Sequence, residues 1–384
     1  MKKILISGGH LTPALAVIDQ AKKDKRDLEF IFLGREYSQD ATQQLSHERA
    51  EIEKRGIEFI PTIAPKFYKT FWWNNFNEIG KWAPALKIAW KIVTEKKPHL
   101  FLSFGGYLAF PIALVCRIRH VPVITHEQTS SAGLANQAIA VLSAKVAVSD
   151  ESTIEQFPDG KTVVTGNPVR TSVMQAASTH PKWIPKDISK PILYITGGNQ
   201  GSEILNRVVG ETLTELTSKW FVIHQCGNPN SYTNYEQTLQ VQAQSLPEDL
   251  QKEYVVKTWM NEKELTWVYN NARLSVSRSG ANTIHELIYH GVPAVLIPLP
   301  FSRDNEQHKN AEAIQKAGGA IILEQKDLTP QTFLSALSNV SRRYRSMQQA
   351  AEKLKEEYIW DGAKRLLNLI DVVLEEQKGA VEKK

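Results

Sequence analysis

The chain has 384 residues, more than one hydrophobic core usually serves, so two domains are expected. Its 42% hydrophobic and 23% charged residues exclude a disordered chain, and a net charge of +5 suits a nucleotide diphosphate or an anionic membrane surface without demanding nucleic acid. With only Cys116 and Cys226, a disulfide scaffold and a zinc site are excluded, and a reducing cytoplasm is the natural compartment.

The opening MKKILISGGHLTPALAV superficially mimics a secretion signal. Its apolar run is broken at once by Ser7, Gly8, Gly9 and His10, with Pro13 and Asp19 beyond, so that reading is rejected. Strands are then predicted at Lys3–Ile6, Leu28–Leu33, Leu100–Phe104, Pro122–Thr125, Lys145–Val148 and Thr162–Thr165. A second set follows at Ile192–Thr196, Phe221–Gln225, Tyr254–Lys257, Leu274–Ser277, Ala294–Pro298 and Ala320–Leu323. Helical periodicity fills most gaps, including Pro13–Lys23, Ala83–Glu95, Glu203–Leu216 and Ala281–Tyr289. Alternation of this kind means α/β architecture, parallel sheets with helices on both faces.

Between Gly166 and Pro191 the pattern dissolves around Pro168, Pro181, Pro185 and Pro191. A linker over 167–190 is expected there, separating doubly wound domains over 1–166 and 191–340. A helical tail from about Ser341 to Val373 closes the chain, and a last helix near 361–378 is expected to pack back on the first domain. No run of 18 uninterrupted apolar residues exists to span a bilayer.

Four strands run into a Ser or Thr and then a glycine-bearing loop: ILISGGH, LFLSFGGY, LYITGGNQG and LSVSRSGAN. In open parallel sheets ligands bind beyond the carboxyl ends of the strands, so two such loops from each domain are expected to line one interdomain cleft. The segment Thr196–Ser202, with Gly198, Asn199 and Gln200, leads straight into a helix, as does Ser277–Thr283. Glycines admit a phosphate to backbone N–H groups, and a helix start adds partial positive charge. Arg278 is a candidate to offset a diphosphate, and Glu286, on the helix from Ala281, to accept hydrogen bonds from ribose hydroxyls. Neither loop is GxGxxG, and neither carries a P-loop lysine, which argues against dinucleotide oxidoreductases and NTPases.

His10, at the end of the first loop, is a candidate general base. His126-Glu127-Gln128-Thr129 places polar groups at another strand end. No Asp-x-Asp and no metal-ligand spacing occurs, so no metal or cofactor is expected. Between Lys66 and Lys91 the sequence KFYKTFWWNNFNEIGKWAPALKIAWK interleaves rings with lysines. That composition suits a membrane-docking patch carrying Trp72, Trp73 and Trp82, or else core aromatics on the helix around Trp82–Trp90.

The motifs SGGHLTPALAV, FGGYLAFP, VPVITHEQTSSAGLAN, VTGNPVRTSV, ITGGNQGSEILN, SRSGANTIHE and GVPAVLIPLP, in this order, resemble the MurG-type peptidoglycan N-acetylglucosaminyltransferases, glycosyltransferase family 28. The resemblance runs from residue 1 to about residue 325. It implies a GT-B fold and inverting, metal-independent transfer of N-acetylglucosamine from UDP-GlcNAc to lipid I, on the cytoplasmic face of the membrane. It further implies that backbone near Met260 faces uracil and that Glu286 binds ribose. Arg170, Gly198, Asn199, Gln200, Arg278, Ala281, Asn282 and Thr283 would hold the diphosphate, and Gln307 the donor sugar. Gly8, Gly9, Gly105, Gly106, Gln128 and Thr129 would line the acceptor side, with His10, Tyr107 and Glu127 as catalytic candidates.

Two departures concern the acceptor side. The family's GGTGGH loop is shortened here to SGGH, and its HEQN is HEQT, ending in Thr129. Three other readings stay open: a transferase acting on diacylglycerol or another polyprenyl carrier, a UDP-GlcNAc 2-epimerase, and a non-catalytic nucleotide-sugar binder.

Overall fold

Strands alternate with helices from Lys2 to Ile322, and every strand pair formed is parallel. The computed structural model describes residues 1–8, 11–36, 47–62, 82–129, 132–169, 179–198, 201–227, 234–302 and 305–382. The chain divides into two units, one of Met1–Arg170 with Ile359–Lys384 and one of Thr171–Tyr358.

Unit one contains β1 (Lys2–Ser7), β2 (Leu28–Gly34), β3 (Glu58–Pro61), β4 (Leu100–Ser103), β5 (Val123–Glu127), β6 (Lys145–Val148) and β7 (Thr162–Val164). Their order in the sheet is β3-β2-β1-β4-β5-β6-β7. Helices α1 (Leu11–Lys23), α2 (His47–Glu53), α3 (Trp82–Lys96), α4 (Ala109–Ile118) and α5 (Leu134–Leu142) lie between them. Side chains alternate along a strand, so both faces of the sheet can be apolar. Ile4, Ile6, Leu100 and Leu102 enter one core, while Leu5 and Phe101 enter another with Ala89, Ile92 and Ile112.

Unit two contains β8 (Ile192–Thr196), β9 (Phe221–Gln225), β10 (Tyr254–Lys257), β11 (Ala272–Ser277), β12 (Ala294–Leu296) and β13 (Ala320–Ile322), in the order β10-β9-β8-β11-β12-β13. Its helices are α6 (Glu203–Glu211), α7 (Leu213–Lys219), α8 (Tyr235–Gln244), α9 (Glu248–Gln251), α10 (Glu262–Asn271), α11 (Ala281–His290), α12 (Glu306–Ala317), α13 (Pro330–Arg342) and α14 (Tyr344–Glu357).

The final helix, α15 (Gly362–Glu382), belongs to unit one. Leu366, Leu367, Ile370 and Val373 complete the core around Ile4 and Ile6 and pack on α1. Arg26 pairs with Asp371 and donates to Asn368 at 2.7 Å. Approach is close at the start of α15, where a Cβ on Gly362 would lie 2.7 Å from the Asn167 carbonyl oxygen.

Three details differ from the sequence expectation. β3 was not expected. The helix expected over Glu203–Leu216 is two, because the Thr212 hydroxyl donates back to the Val208 carbonyl at 2.8 Å and the backbone leaves helical values there. The tail from Ser341 holds the end of α13, then α14 in unit two and α15 in unit one.

Each sheet reverses its winding once, between β1 and β4 and between β8 and β11. Such reversals open a crevice at the carboxyl ends of the two strands concerned. The four loops that leave those strands are the four glycine-bearing loops.

Candidate functional site

In unit two, the loop after β8 is built around glycine. The Gly198 N–H donates to the Thr196 hydroxyl at 3.0 Å, and the Gly201 N–H to the Gly198 carbonyl at 3.0 Å. Gly201 has φ +76, and a Cβ there would lie 2.1 Å from the Cys226 carbonyl oxygen, so no other residue fits. Asn199 and Gln200 lie outside the described residues.

The loop after β11 ends at Gly280, the N-cap of α11. No side chain caps this helix, its first turn has no acidic residue, and a Cβ on Gly280 would meet nothing within 4 Å. Ala281, Asn282 and Thr283 form the start of this helix, where backbone N–H groups favour an anion. Ser279 fastens this loop to α12. Its hydroxyl donates to the Gln307 carbonyl at 2.8 Å, and its own carbonyl accepts from Asn310 at 3.2 Å. The Gln307 side-chain oxygen accepts from the Leu299 N–H at 3.1 Å.

Arg278 is 9% exposed and works as a strut. One terminal nitrogen donates to the carbonyls of Ile297 and Pro298, at 3.1 and 3.3 Å. The other donates to the Ser202 hydroxyl and to Gln325 Oε1, at 2.8 and 2.6 Å. Both terminal nitrogens are thus bonded within unit two, which leaves the Nε–H as the donor without a bond among these four contacts. Its partners are neutral and burial lowers its pKa, so a positive charge is held beneath both loops at a desolvation cost.

Glu286 is half-buried and accepts from the Tyr269 hydroxyl at 2.9 Å. The buried Tyr269 ring sits edge-on to Tyr194 at 5.3 Å and stacks on His290 at 5.3 Å. Burial pushes the Tyr269 hydroxyl well above its usual pKa, so it remains a donor. The carboxylate is therefore oriented and not simply solvated. Met260 is buried after β10, and the next residue, Asn261, closes a reciprocal cap with Glu264 that fixes this stretch of backbone.

In unit one, Gly8 follows β1, and a Cβ there would lie 2.6 Å from the Phe32 ring. Gly9 and His10 lie outside the described residues. The Phe104 N–H donates to the Ser7 carbonyl at 3.0 Å, joining the two crevice strands just before their loops. Gly105 and Gly106 follow with φ +77 and +82, and the Tyr107 ring lies under the Arg35 guanidinium at 5.6 Å.

Glu127, 4% exposed, has both oxygens occupied. One accepts from the Thr129 N–H at 3.1 Å and the Thr129 hydroxyl at 2.7 Å. The other accepts from the Gly133 N–H at 3.1 Å and Asn136 Nδ2 at 2.8 Å. In this arrangement Glu127 braces the loop bearing Gln128 and Thr129 against the start of α5. Thr129, replacing the family's amide, supplies two of the four donors. Tyr269, which holds Glu286, lies in no motif of the sequence analysis, whereas Asn136, which holds Glu127, ends the VPVITHEQTSSAGLAN motif without being a candidate there.

Of the rest, Arg170, Trp72 and Trp73 lie outside the described residues. Trp82 is half-buried, edge-on to Phe110 at 5.8 Å, whereas Trp90 on the same helix is 45% exposed. Among the described residues, no group of three or more His, Cys, Asp or Glu could hold a metal, and no helix is long and apolar enough to cross a membrane.

Residues 7–148 match the glycosyltransferase family 28 N-terminal domain and residues 192–366 its C-terminal domain. The class is thus that of family 28 glycosyltransferases, with two Rossmann-like parallel α/β units of the GT-B type. Over 376 residues the chain is 30% identical to the UDP-N-acetylglucosamine--N-acetylmuramyl-(pentapeptide) pyrophosphoryl-undecaprenol N-acetylglucosamine transferase of Clostridium botulinum (strain Langeland), covering 96% of this chain and 99% of that one. The same-named protein of Clostridium tetani is 30% identical over 377 residues, covering 96% and 98%. The chain belongs to this transferase family. The crystal structure of MurG from Acinetobacter baumannii has the same fold, with a TM-score of 0.71, 23% identity and coverage of 97% and 99%.

Proposed function

We propose that this chain transfers N-acetylglucosamine from UDP-GlcNAc to lipid I, undecaprenyl-pyrophosphoryl-MurNAc-peptide, with inversion and without a metal ion, giving lipid II for peptidoglycan synthesis. Its family membership supports the reaction. The observation that carries the reading is the uncapped start of α11 in the crevice of unit two, with Glu286 anchored by Tyr269 one turn further on.

The donor belongs to unit two. The N–H groups of Ala281–Thr283 and the loop around Gly198 meet the diphosphate, with Asn199 and Gln200 as further ligands and the buried Arg278 charge behind them. A carboxylate accepts up to about four hydrogen bonds, so Glu286 can take the ribose hydroxyls as well as Tyr269. Backbone around Met260 faces uracil, and Gln307 contacts the sugar.

The acceptor belongs to unit one, along Gly8, Gly9, Gly105, Gly106, Tyr107, Gln128 and Thr129. The acceptor oxygen attacks the anomeric carbon as the bond to the UDP oxygen breaks, and His10 takes the proton. Charge growing on UDP is met by fixed N–H dipoles, which need no reorganisation during the reaction. Glu127 keeps the acceptor loop in place.

The protein works as a peripheral enzyme on the cytoplasmic membrane face. Trp90, Ile118 at 55% exposure and Arg119, 5.4 Å from the Trp90 ring, support a docking patch, to which Trp72 and Trp73 are assigned from their composition alone. Changing Trp72, Trp73 and Trp90 to Ser reduces sedimentation with anionic vesicles and leaves Tm nearly unchanged. A large fall in Tm with intact vesicle binding would make these rings core.

Product analysis with UDP-GlcNAc, a short-chain lipid I analogue and a chelator tests the reaction. Release of UDP with formation of a β-linked lipid II analogue is expected. Transfer only to diacylglycerol, epimerised UDP-sugar, or binding without turnover would each overturn the reading.

A further inference from the structure

Unit two has a cavity of about 550 Å³ away from the glycine loops. Ile192 and Ala272, the first residues of β8 and β11, line it, whereas the donor loops follow the last residues of the same strands. At about 3.3 Å per residue, the length of a strand, roughly 15 Å, separates the two places.

The wall is one-sided in charge. Lys186, Lys190 and Arg273 are its charged residues, His180 and His290 add ring nitrogens, and no Asp or Glu is among the described lining residues. Three of these groups are held against rings. The Arg273 guanidinium lies 4.3 Å from the Tyr344 ring centre, His180 sits edge-on to Trp267 at 4.9 Å, and His290 stacks on Tyr269. His290 Nδ1 also donates to Asn270 Oδ1 at 2.8 Å. Lys190 is anchored on the Thr217 carbonyl at 2.7 Å, with Glu253 at 3.7 Å behind it. The Tyr344 ring holds the Arg273 cation in place before any ligand arrives.

The charged groups available to a ligand on this wall are therefore Lys186, Lys190 and Arg273. Tyr344 itself sits in the run Arg342-Arg343-Tyr344-Arg345, which adds to the local field. We propose that this cavity is a second binding site, for a small phosphorylated polyanion. Lys186 and Arg273, both exposed, make charge-assisted bonds to its phosphates. The proposal goes beyond the transfer reaction, and the Tyr269 side chain, whose ring lines the cavity while its hydroxyl holds Glu286, is the one the two sites share.

Inorganic pyrophosphate, titrated calorimetrically into the full chain held at saturating UDP, tests it. UDP occupies the donor loops, so a remaining saturable single-site isotherm reports the cavity. Lys186→Glu with Arg273→Glu should weaken that isotherm by about tenfold or more, and Lys186→Gln with Arg273→Gln by less. UDP binding, Tm and turnover without pyrophosphate should stay at wild-type values in both variants, which shows that they fold. Absence of saturable binding in the presence of UDP, or an isotherm unchanged in the charge-reversed variant, would overturn the proposal.

Discussion

The Tyr269 hydroxyl reaches Glu286 across 2.9 Å, and that contact sets what substitutions there should do. Losing hydrogen bonds from ribose to a charged acceptor is worth roughly 1.5–3 kcal/mol. Glu286→Ala should therefore raise the donor KM by about tenfold or more while kcat barely moves. Tyr269→Phe keeps the carboxylate but frees it to swing, so the KM should rise by a smaller factor. An unchanged donor KM in Glu286→Ala would remove the ribose role. His10→Ala should instead lower kcat by about 10²–10⁴-fold at constant donor KM, because a positioned base acts on the reacting proton. Wild-type turnover should also fall at acid pH, where an imidazolium cannot accept that proton. Retention of more than about a tenth of turnover would make His10 structural. The types of residue in these loops were readable from the sequence, but their bonding was not. The partners that engage Arg278 come from Ser202 and Gln325, 76 and 47 positions away, and no local pattern reports such distances.

At the scale of elements, buried strands were legible because apolar runs such as Ile192–Thr196 are covered on both sides. β3 escaped because its sequence, EFIP, is short, half-exposed and at the edge of its sheet. Contacts that join elements were not legible either, and His224 is the clearest case. From β9 its Nε2–H donates to Asn206 Oδ1 on α6 at 3.1 Å, and its Nδ1 accepts from the Tyr254 hydroxyl on β10 at 2.8 Å. Burial lowers its pKa to about 3, against roughly 6.5 in an unfolded chain. Between those values the unfolded chain binds a proton that the folded one refuses, so stability falls as pH drops below about 6.5. Above that pH the residue contributes no dependence. His285, lowered by burial to about 4, acts in the same direction. Denaturant unfolding at pH 7.5 and pH 5 should show His224→Gln losing less stability than the wild type, by about 2 kcal/mol at most. Equal losses would mean that His224 is not the proton-linked group.

For the whole molecule, the alternation of strands and helices was enough to expect two doubly wound units, while the strand orders that place a winding reversal at the glycine loops were not legible. The path of the chain was less visible, because the crossing between Tyr358 and Ile359 falls inside what reads as one helical tail. That path has a consequence for biosynthesis. Residues 1–170 leave the ribosome first, yet the core they build around Ile4 and Ile6 stays open until Leu366, Leu367 and Ile370 have been made. Unit two, uninterrupted in the chain, can finish folding in the meantime. At about 5–20 residues per second the earlier segment waits roughly 10–40 s for its last helix. A chain truncated after Tyr358 should mimic that waiting state. Limited proteolysis should cut its first 170 residues rapidly while Thr171–Tyr358 survives and still binds UDP without magnesium. Equal resistance of both parts would show that the first half closes without α15, and the order of folding would then follow the order of synthesis.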